Sequence, residues 1–251
     1  PAQNLIHREQ IVRDGTRLAA DVYRPRRDAP HPVLLLFSAY PKKLDHLPSN
    51  PAFRFRETSD YAWWVDRGYA LVRVDARGTG ESIEGQWDFL GPDEQRDLYD
   101  VIEWCGAQPW SNGRVGMLGQ SYYAMVQWLA AIQRPPALKC IAPYDGLVDV
   151  YRDFAWHGGL YSHEFVTNWA ARQVHLNNLQ FESSPPPNVM NFDVAGETMR
   201  HRFDDAFYRN RSAYWQLDRI KVPVYSIGAW EKVRLHTRGN VLGYEGVPQV
   251  P

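Results

Sequence analysis

A short apolar segment of the chain runs into a turn at a serine and then into a helix-forming segment. The residues VGML at 115–118 are followed by GQSYY and then by the helix formers AMVQWL. A strand, a sharp turn at serine and a helix form a nucleophile elbow, in which the hydroxyl stands clear of the sheet. Strand and helix approach closely there, so small residues are required; Gly119 is one, and Ala124 replaces the glycine expected at Tyr123. The pattern predicts a nucleophile at Ser121.

The alternative for this serine is a purely structural role. Serine is a common N-cap residue, and Ser121 directly precedes the predicted helix. The strand before it and the helix after it are the structural context that favours the elbow over a chance match to the motif.

Strand and helix patterns alternate around this turn. Residues 5–13 and 18–23 have period-two hydrophobicity and flank Asp14-Gly15, which predicts an antiparallel hairpin. Buried strands that alternate with helices indicate a largely parallel sheet. We therefore expect an α/β fold whose mostly parallel sheet opens with an antiparallel hairpin. The further apolar runs lie at 33–37, 70–74, 115–118 and around Ile141, and the helical patterns lie at 61–67 and 94–108.

The character of the sequence changes after Pro143. The following residues are rich in aromatic residues, histidine, asparagine and proline and lack strand alternation. A core strand is predicted again at 222–228, and 235–244 is a predicted helix. We expect a helical insertion, called the cap below. The predicted division is a first part of the core at 1–143, the cap at 144–218 and an incomplete second part of the core at 219–251.

Aromatic residues are frequent in the predicted cap. Such side chains are suited to line a pocket for an apolar group of a ligand. They are equally suited to pack a small core inside the cap. The sequence leaves both interpretations open for Phe154, Trp156, Tyr161 and Trp169.

Composition excludes several classes of function. The 251 residues have a formal net charge of −1 and no basic stripe, so no nucleic-acid partner is expected. No apolar stretch is long enough to cross a bilayer, so no membrane partner is expected either. The N-terminus lacks the apolar core of a signal peptide, which favours a cytoplasmic location, but a chain that begins at Pro1 leaves export undecided.

The sequence predicts neither a disulfide framework nor a metal or organic cofactor. Its two cysteines, Cys105 and Cys140, are too few for such a framework and are expected to be buried. Metal-binding motifs are missing, and the glycines at 78 and 80 lack the third glycine of a dinucleotide fingerprint. Whether the chain forms a homo-oligomer is left open.

Four motifs in order resemble one enzyme family. They are RDGTRLAADVYRP at 13–25, YPK at 40–42, VDARGTGES at 74–82 and GQSY at 119–122. Together they are similar to the cocaine esterase and X-prolyl dipeptidyl aminopeptidase (CocE/NonD) family of α/β hydrolases, and the resemblance extends over about residues 5 to 245. It implies a serine hydrolase that cleaves esters or amides, with a helical cap. In this family more sheet and a C-terminal β-sandwich normally follow.

The resemblance also assigns roles to residues. Ser121 would attack the acyl carbon, while the backbone N–H of Tyr122 and the hydroxyl of Tyr40 would stabilise the oxyanion. The alternative for Tyr40 is a packed aromatic ring with a hydroxyl that faces solvent. The motif at 74–82, which contains Asp75 and Arg77, is expected to be structural, with its charged pair bracing a turn.

The remaining members of a catalytic triad are poorly matched. In this fold the acid follows the strand after the cap, and the histidine follows the next strand. The family pattern Gly-Trp-Tyr-Asp is replaced by AWEK at 229–232, so Glu231 is the nearest carboxylate, one position early, and a surface glutamate is its alternative. His236 is the only histidine after that strand and lies at the start of a predicted helix, and an exposed histidine without a catalytic role is its alternative. His157 and His163 lie in the cap and are expected to line it or pack there.

Three explanations fit a chain without a clear triad histidine. It is a fragment of a longer hydrolase, it is completed by a partner segment, or it is an inactive relative that binds ligands. We favour the first, because a sheet cut before its last strand leaves an unpaired edge.

The expected activity is hydrolysis of small-molecule carboxylic esters through an acyl-enzyme on Ser121. The alternatives are acylase or X-prolyl dipeptidyl aminopeptidase activity on amides. A hypothesis of another class is a catalytically inactive ligand-binding or interaction module that uses the aromatic groove of the cap.

Overall fold

The computed structural model describes residues 5–27, 29–42, 57–179 and 192–248. The chain begins with a hairpin of β1 (Leu5–Arg13) and β2 (Thr16–Tyr23). Asp14 and Gly15 have φ values of 45° and 88°, the left-handed conformation that a two-residue hairpin turn requires. The predicted antiparallel opening of the sheet is confirmed.

The central sheet has six strands in the order β1-β2-β4-β3-β5-β6. The pairs β3–β4, β3–β5 and β5–β6 are parallel, and β2 pairs antiparallel with β4. Its inner strands are buried on both faces, which explains their nearly continuous apolar sequences. The mostly parallel α/β sheet predicted from the sequence is therefore confirmed. The four parallel strands are β3 (His31–Ser38), β4 (Ala70–Asp75), β5 (Ser111–Gln120) and β6 (Leu138–Tyr144).

Helices connect and cover these strands. Helix α1 (Tyr61–Asp66) precedes β4, and α2 (Pro92–Ala107) precedes β5. Helix α3 (Tyr122–Gln133) follows β5 without a loop and packs against both β5 and β6. Eleven of its twelve residues are buried, so this helix lies in the centre of the molecule. The candidate functional site lies at the end of β5, where α3 begins.

The described residues at 145–179 and 192–220 form mainly short helices. Its two π-helical segments are Val150–Ala155 and Trp169–His175. A hairpin of two-residue strands, β7 (Trp156–His157) and β8 (Leu160–Tyr161), was not predicted. The boundaries of the cap at 144 and 218 stay predictions. The remaining helices are α4 (His163–Asn168), α5 (Leu176–Leu179), α6 (Val194–Arg200), α7 (Ala206–Arg209) and the 3-10 helix Ala213–Arg219.

The predicted core strand at 222–228 is an edge segment. It runs parallel to β6 through two isolated bridges, Ile141 to Val224 and Tyr144 to Ile227. Tyr225 is 72% exposed, and no strand within the described residues pairs with the outer side of the segment. The predicted helix that follows is α8 (Thr237–Gly246).

The two cysteines differ in environment. Cys105 on α2 is fully buried, as expected, and burial raises the pKa of its thiol. Cys140 on β6 is exposed, together with its neighbour Lys139, so the expectation that it is buried is wrong. Among the described residues no helix is long and apolar enough to cross a membrane.

Candidate active site

Ser121 lies at the junction of β5 and α3. Its φ of 59° and ψ of −114° form a conformation that residues other than glycine rarely adopt. The N–H of Ser121 donates to the carbonyl of Tyr144 at 3.0 Å, and the N–H of Gln120 donates to the carbonyl of Glu57 at 2.8 Å. These bonds hold the turn from β6 on one side and from the segment before α1 on the other. The sharp turn of a nucleophile elbow is therefore present.

The small residues around the turn have the positions that the elbow requires. Gly119 has a φ of 132°, and a Cβ atom on it would lie 2.5 Å from the Cβ of Tyr123. A Cβ on Gly146 would lie 2.9 Å from the Cβ of Ala124, so the chain after β6 passes very close to α3. Glycine at 119 is thus required both by backbone conformation and by close approach.

The side chain of Ser121 does not cap α3. It accepts no hydrogen bond from the first turn of the helix, although the residue occupies the N-cap position. The residue is half-buried, and within the described part of the chain its hydroxyl has no hydrogen-bond partner. A purely structural cap, the alternative left open by the sequence, does not fit this geometry.

Tyr122 contributes a backbone amide at the site and a buried ring beneath it. It is the first residue of α3, so its N–H has no carbonyl partner within the helix. Its hydroxyl donates to Oε1 of Glu94 at 2.6 Å and accepts from the indole Nε1 of Trp87 at 3.1 Å. Burial raises the pKa of the Glu94 carboxyl to about 8. The ring of Tyr122 is therefore fixed at its far end by two hydrogen bonds.

Tyr40 lies in the loop after β3 and is 4% exposed. The indole Nε1 of Trp169 donates to its hydroxyl at 2.7 Å. The rings of Tyr40 and Tyr122 are 5.6 Å apart between centroids, so the two tyrosines pack together. The hydroxyl of Tyr40 does not face solvent, which is the alternative that the sequence left open for it. Sequence reasoning did not single out the contact with Trp169.

A second cap residue binds the same loop. Asn178 is fully buried, and its Nδ2 donates to the carbonyl of Ala39 at 3.1 Å. Its Oδ1 accepts from the N–H of Gly80 at 2.6 Å. One amide side chain thus joins the Tyr40 loop to the turn at 74–82, and no feature of the sequence around Asn178 indicates this role.

Charged residues beneath this loop are buried and paired. The backbone N–H of Lys42 donates to Oδ1 of Asp75 at 2.7 Å, and its ammonium group pairs with Glu81 and lies 3.5 Å from Asp21. Burial raises the pKa of Asp75 to about 6, although the nearby lysine lowers it. Arg77 makes two hydrogen bonds to Asp97, of 2.9 and 2.6 Å. The predicted bracing role is seen within the motif, where the N–H of Glu81 donates to Oδ2 of Asp75 at 2.9 Å, whereas Arg77 bonds to residues outside the motif.

Glu231 and His236 have no hydrogen bond to Ser121 within the described residues. Glu231 lies in an exposed 3-10 turn, Trp230–Lys232. His236 precedes α8 as predicted but is buried, being 5% exposed, and its Nδ1 has no hydrogen-bond partner there. Burial, aided by Lys232, lowers the pKa of His236 to about 4.

An aspartate that sequence reasoning missed joins the elbow to the segment before Glu231. Asp145 directly follows β6 and is fully buried, with a φ of 46°. Its Oδ2 accepts from the side chain of Gln120 at 3.0 Å, and its Oδ1 accepts from the N–H of Ala229 at 2.8 Å. Its place at the carboxyl end of a strand next to β5 was the available signal. Asp145 thus links residue 229 to Gln120, the neighbour of Ser121.

A cavity of about 490 Å³ lies between the cap and the segment before α8. Trp156 and His157 contribute to its wall, and the imidazole Nε2 of His157 lies 2.8 Å from the carbonyl of Asp153. Phe154 and Trp169 instead pack inside, at 1% and 7% exposure. The packing interpretation therefore applies to Phe154 and Trp169, and a ligand-binding role for the wall at Trp156 stays a prediction. The described residues contain no cluster of three or more metal-binding side chains.

Comparisons with known proteins found similar sequences over most of the chain. The family model of X-Pro dipeptidyl-peptidase (S15 family) matches residues 14–250. The cocaine esterase of Rhodococcus sp. (strain MB1 Bresler) is 38% identical over 237 residues, which are 90% of this chain and 40% of that protein. The chain therefore spans about two fifths of the length of this relative.

Solved structures show the same architecture. A CocE/NonD family hydrolase from Staphylococcus aureus superposes with a TM-score of 0.85 at 31% identity, covering 96% of this chain and 43% of that one. An aminopeptidase from a marine sediment Thaumarchaeota archaeon has a TM-score of 0.68 at 23% identity, covering 91% and 44%, and shows the fold alone.

Proposed function

Because this chain belongs to the X-Pro dipeptidyl-peptidase (S15) family, we propose that it supplies the nucleophile and oxyanion hole of a serine hydrolase acting on carboxylic esters. The relatives are named as esterases and peptidases, which supports hydrolysis of esters or peptides as the broader class. The observation that carries the proposal is the strained backbone of Ser121 at the N-terminus of α3. Its hydroxyl has no hydrogen-bond partner among the described residues.

The proposed reaction is acyl transfer. Ser121 Oγ attacks the acyl carbon, the carbonyl π electrons move to the oxygen, and the serine proton passes to a base. Collapse of this tetrahedral intermediate breaks the bond to the alkoxide, which takes the proton from the base and leaves as the alcohol, and an acyl-enzyme remains. Water, which gives a proton to the same base, attacks the acyl carbon, and the serine oxygen leaves with that proton, so the acid and free serine are formed. Hydrolysis of an amide or an X-prolyl peptide by the same steps is the nearest alternative.

Two donors would stabilise the oxyanion. The amide of Tyr122 is supported by its place at the start of α3, where a helix presents unpaired N–H groups. The hydroxyl of Tyr40 is supported by its burial and by its packing against Tyr122. Preorganised donors of this kind contribute roughly 100- to 1,000-fold each to the rate.

His236 and Glu231 complete the proposal as base and acid. His236 is buried and neutral at pH 7, as a general base must be before it accepts a proton. Neither residue is hydrogen-bonded to Ser121 within the described residues. The roles of His236 and Glu231 are therefore tested separately from that of Ser121.

Labelling with a fluorophosphonate probe tests the nucleophile. We expect one covalent adduct per chain, located at Ser121 by peptide mass spectrometry and lost in Ser121→Ala. Ser162→Ala is the matched control, because Ser162 is also a half-buried serine at a helix start without a capping hydrogen bond. A folded chain that never labels would support the ligand-binding module instead.

A second measurement separates the substrate classes. p-Nitrophenyl esters and an X-Pro p-nitroanilide release chromophores with similar absorbance, so their kcat/KM values compare directly. We expect the esters to be turned over and the anilide to be poor. The opposite order would support peptidase activity at the same Ser121.

A further inference from the structure

The hydrogen bond between Trp169 and Tyr40 has only one direction. An indole N–H donates and cannot accept, so the phenol oxygen is the acceptor over the 2.7 Å between them. A phenol has one proton, and that proton cannot be directed at the indole. Both side chains are buried, at 7% and 4% exposure, so water does not readily replace either partner.

We propose that Trp169 is a positioning residue for the oxyanion hole. Its indole N–H occupies one lone pair of the Tyr40 hydroxyl and so directs the Tyr40 proton toward the oxyanion that forms on the acyl group at Ser121. The inference rests on the proposed function, because it gives Tyr40 the role of an oxyanion donor. Trp169 does not touch the reacting atoms and acts through Tyr40.

The indole of Trp169 is itself held in place by aromatic rings. It lies almost parallel to the ring of Tyr122, at 18° and 6.3 Å between centroids. Phe154 meets it edge-on at 5.3 Å and Phe89 packs at 5.1 Å. A ring fixed by several neighbours loses little entropy when it makes its hydrogen bond. Trp169 therefore contacts both residues that are proposed to supply oxyanion donors.

The segment that carries Trp169 is anchored to the same loop at a second point. Trp169 begins the π-helical segment Trp169–His175, and π-helical turns inside helices are frequent at functional sites. Asn178 follows on α5 and donates to the carbonyl of Ala39, the residue before Tyr40. The loop is thus tied to the cap through both its backbone and its hydroxyl.

The test is a double-mutant cycle read as the second-order rate constant of fluorophosphonate labelling. Tyr40→Phe should slow labelling about 100- to 1,000-fold, because it removes one oxyanion donor. Trp169→Phe should slow it by about tenfold, since the donor remains but is misdirected. In the Tyr40→Phe background Trp169→Phe should change the rate by less than about twofold.

Trp128→Phe is the matched control. Trp128 is also fully buried, and its indole Nε1 has no hydrogen-bond partner in the described part of the chain. This substitution removes the same atoms without removing a bond to Tyr40, so labelling should stay within about twofold of the unmodified chain. If Trp169→Phe does not fold, β-(3-benzothienyl)alanine at 169 keeps the ring shape and removes only the N–H.

The outcomes separate the inference from the proposed function. Absence of labelling at Ser121 in the unmodified chain would overturn the proposed function. Normal labelling with equal effects of Trp169→Phe in both backgrounds would overturn only the positioning role, because packing would then explain the loss. An effect no larger than that of Trp128→Phe would overturn it as well.

Discussion

Ser121 combines a strained backbone with a side chain that has no partner among the described residues. A residue held in such a conformation costs about 1–3 kcal/mol, so the surrounding structure must impose it. The bonds from its N–H to Tyr144 and from Gln120 to Glu57 are two of the contacts that do so. The strain is thus imposed on Ser121 both from β6 and from the segment before α1.

The proposed base makes a sharp prediction, because His236 has an unusual environment. Burial lowers its pKa to about 4, so above pH 5 the imidazole is neutral and ready to accept a proton. If His236 is the base, the labelling rate rises up to about pH 4 and is then level to pH 8, and His236→Gln slows labelling by at least about 100-fold. The measurement is the labelling rate as a function of pH.

His163→Gln serves as the control for this experiment, since His163 is an exposed histidine of the cap. It should leave both the rate and the pH profile unchanged. Unchanged labelling in His236→Gln would remove His236 from the mechanism but leave Ser121 as the nucleophile. A profile that rises near pH 7 would point to a histidine with an ordinary pKa.

The junction of β5 and α3 depends on a glycine. Gly119→Ala would place a Cβ 2.5 Å from that of Tyr123 and would force a φ of 132° on an alanine. Gly113→Ala in the same strand has a φ of 78° but meets no atom within 4 Å, so it carries the backbone strain alone. We expect Gly119→Ala to lower the free energy of unfolding by about 1–3 kcal/mol more than Gly113→Ala.

Urea denaturation measures that difference, and fluorophosphonate labelling measures its effect on the site. In the Gly119 variant the labelling rate should fall by at least about tenfold, because the nucleophile is displaced. In the Gly113 variant the rate should be unchanged. Equal unfolding free energies for the two variants would show that strand and helix separate without cost at this turn.

The elements of the core are predictable from the sequence because each depends on local patterns. The hairpin follows from Asp14-Gly15, and the elbow follows from an apolar run, Gly119 and a helix-forming segment. The segment at 222–228 carries a strand pattern too, but that pattern does not show whether a further strand covers it. It is an exposed edge, as Tyr225 indicates.

The contacts that hold the loop of Tyr40 in place are not predictable from local patterns. Trp169 and Tyr40 are 129 positions apart, and Asn178 and Ala39 are 139 apart. No periodicity connects such residues, because the contact arises only when the cap folds over the core. The role of Asp145 was easier to predict, because this residue follows a strand next to β5. Its carboxylate is buried.

Across the whole molecule, buried titratable groups on different elements set how stability depends on pH. Burial raises the pKa of Glu94 from 4.5 to about 8 and lowers that of His236 from 6.5 to about 4. Between pH 4.5 and 8 the folded state holds the Glu94 proton more tightly than the unfolded state, so stability falls as pH rises. Between pH 4 and 6.5 the unfolded state takes up the His236 proton more readily, so stability rises with pH. The two effects oppose each other below pH 6.5.

Above pH 6.5 His236 is neutral in both states, and the effect of Glu94 remains. We therefore expect the urea midpoint to decline from pH 6.5 to 8, with a slope of up to about 1.4 kcal/mol of unfolding free energy per pH unit. Glu94→Gln should flatten this decline, because its side chain does not titrate. Asp93→Asn removes an exposed carboxylate from the same helix and should keep it. A decline that persists in Glu94→Gln would mean that another group titrates, and that the carboxyl under Tyr122 is not the one that holds its proton to about pH 8.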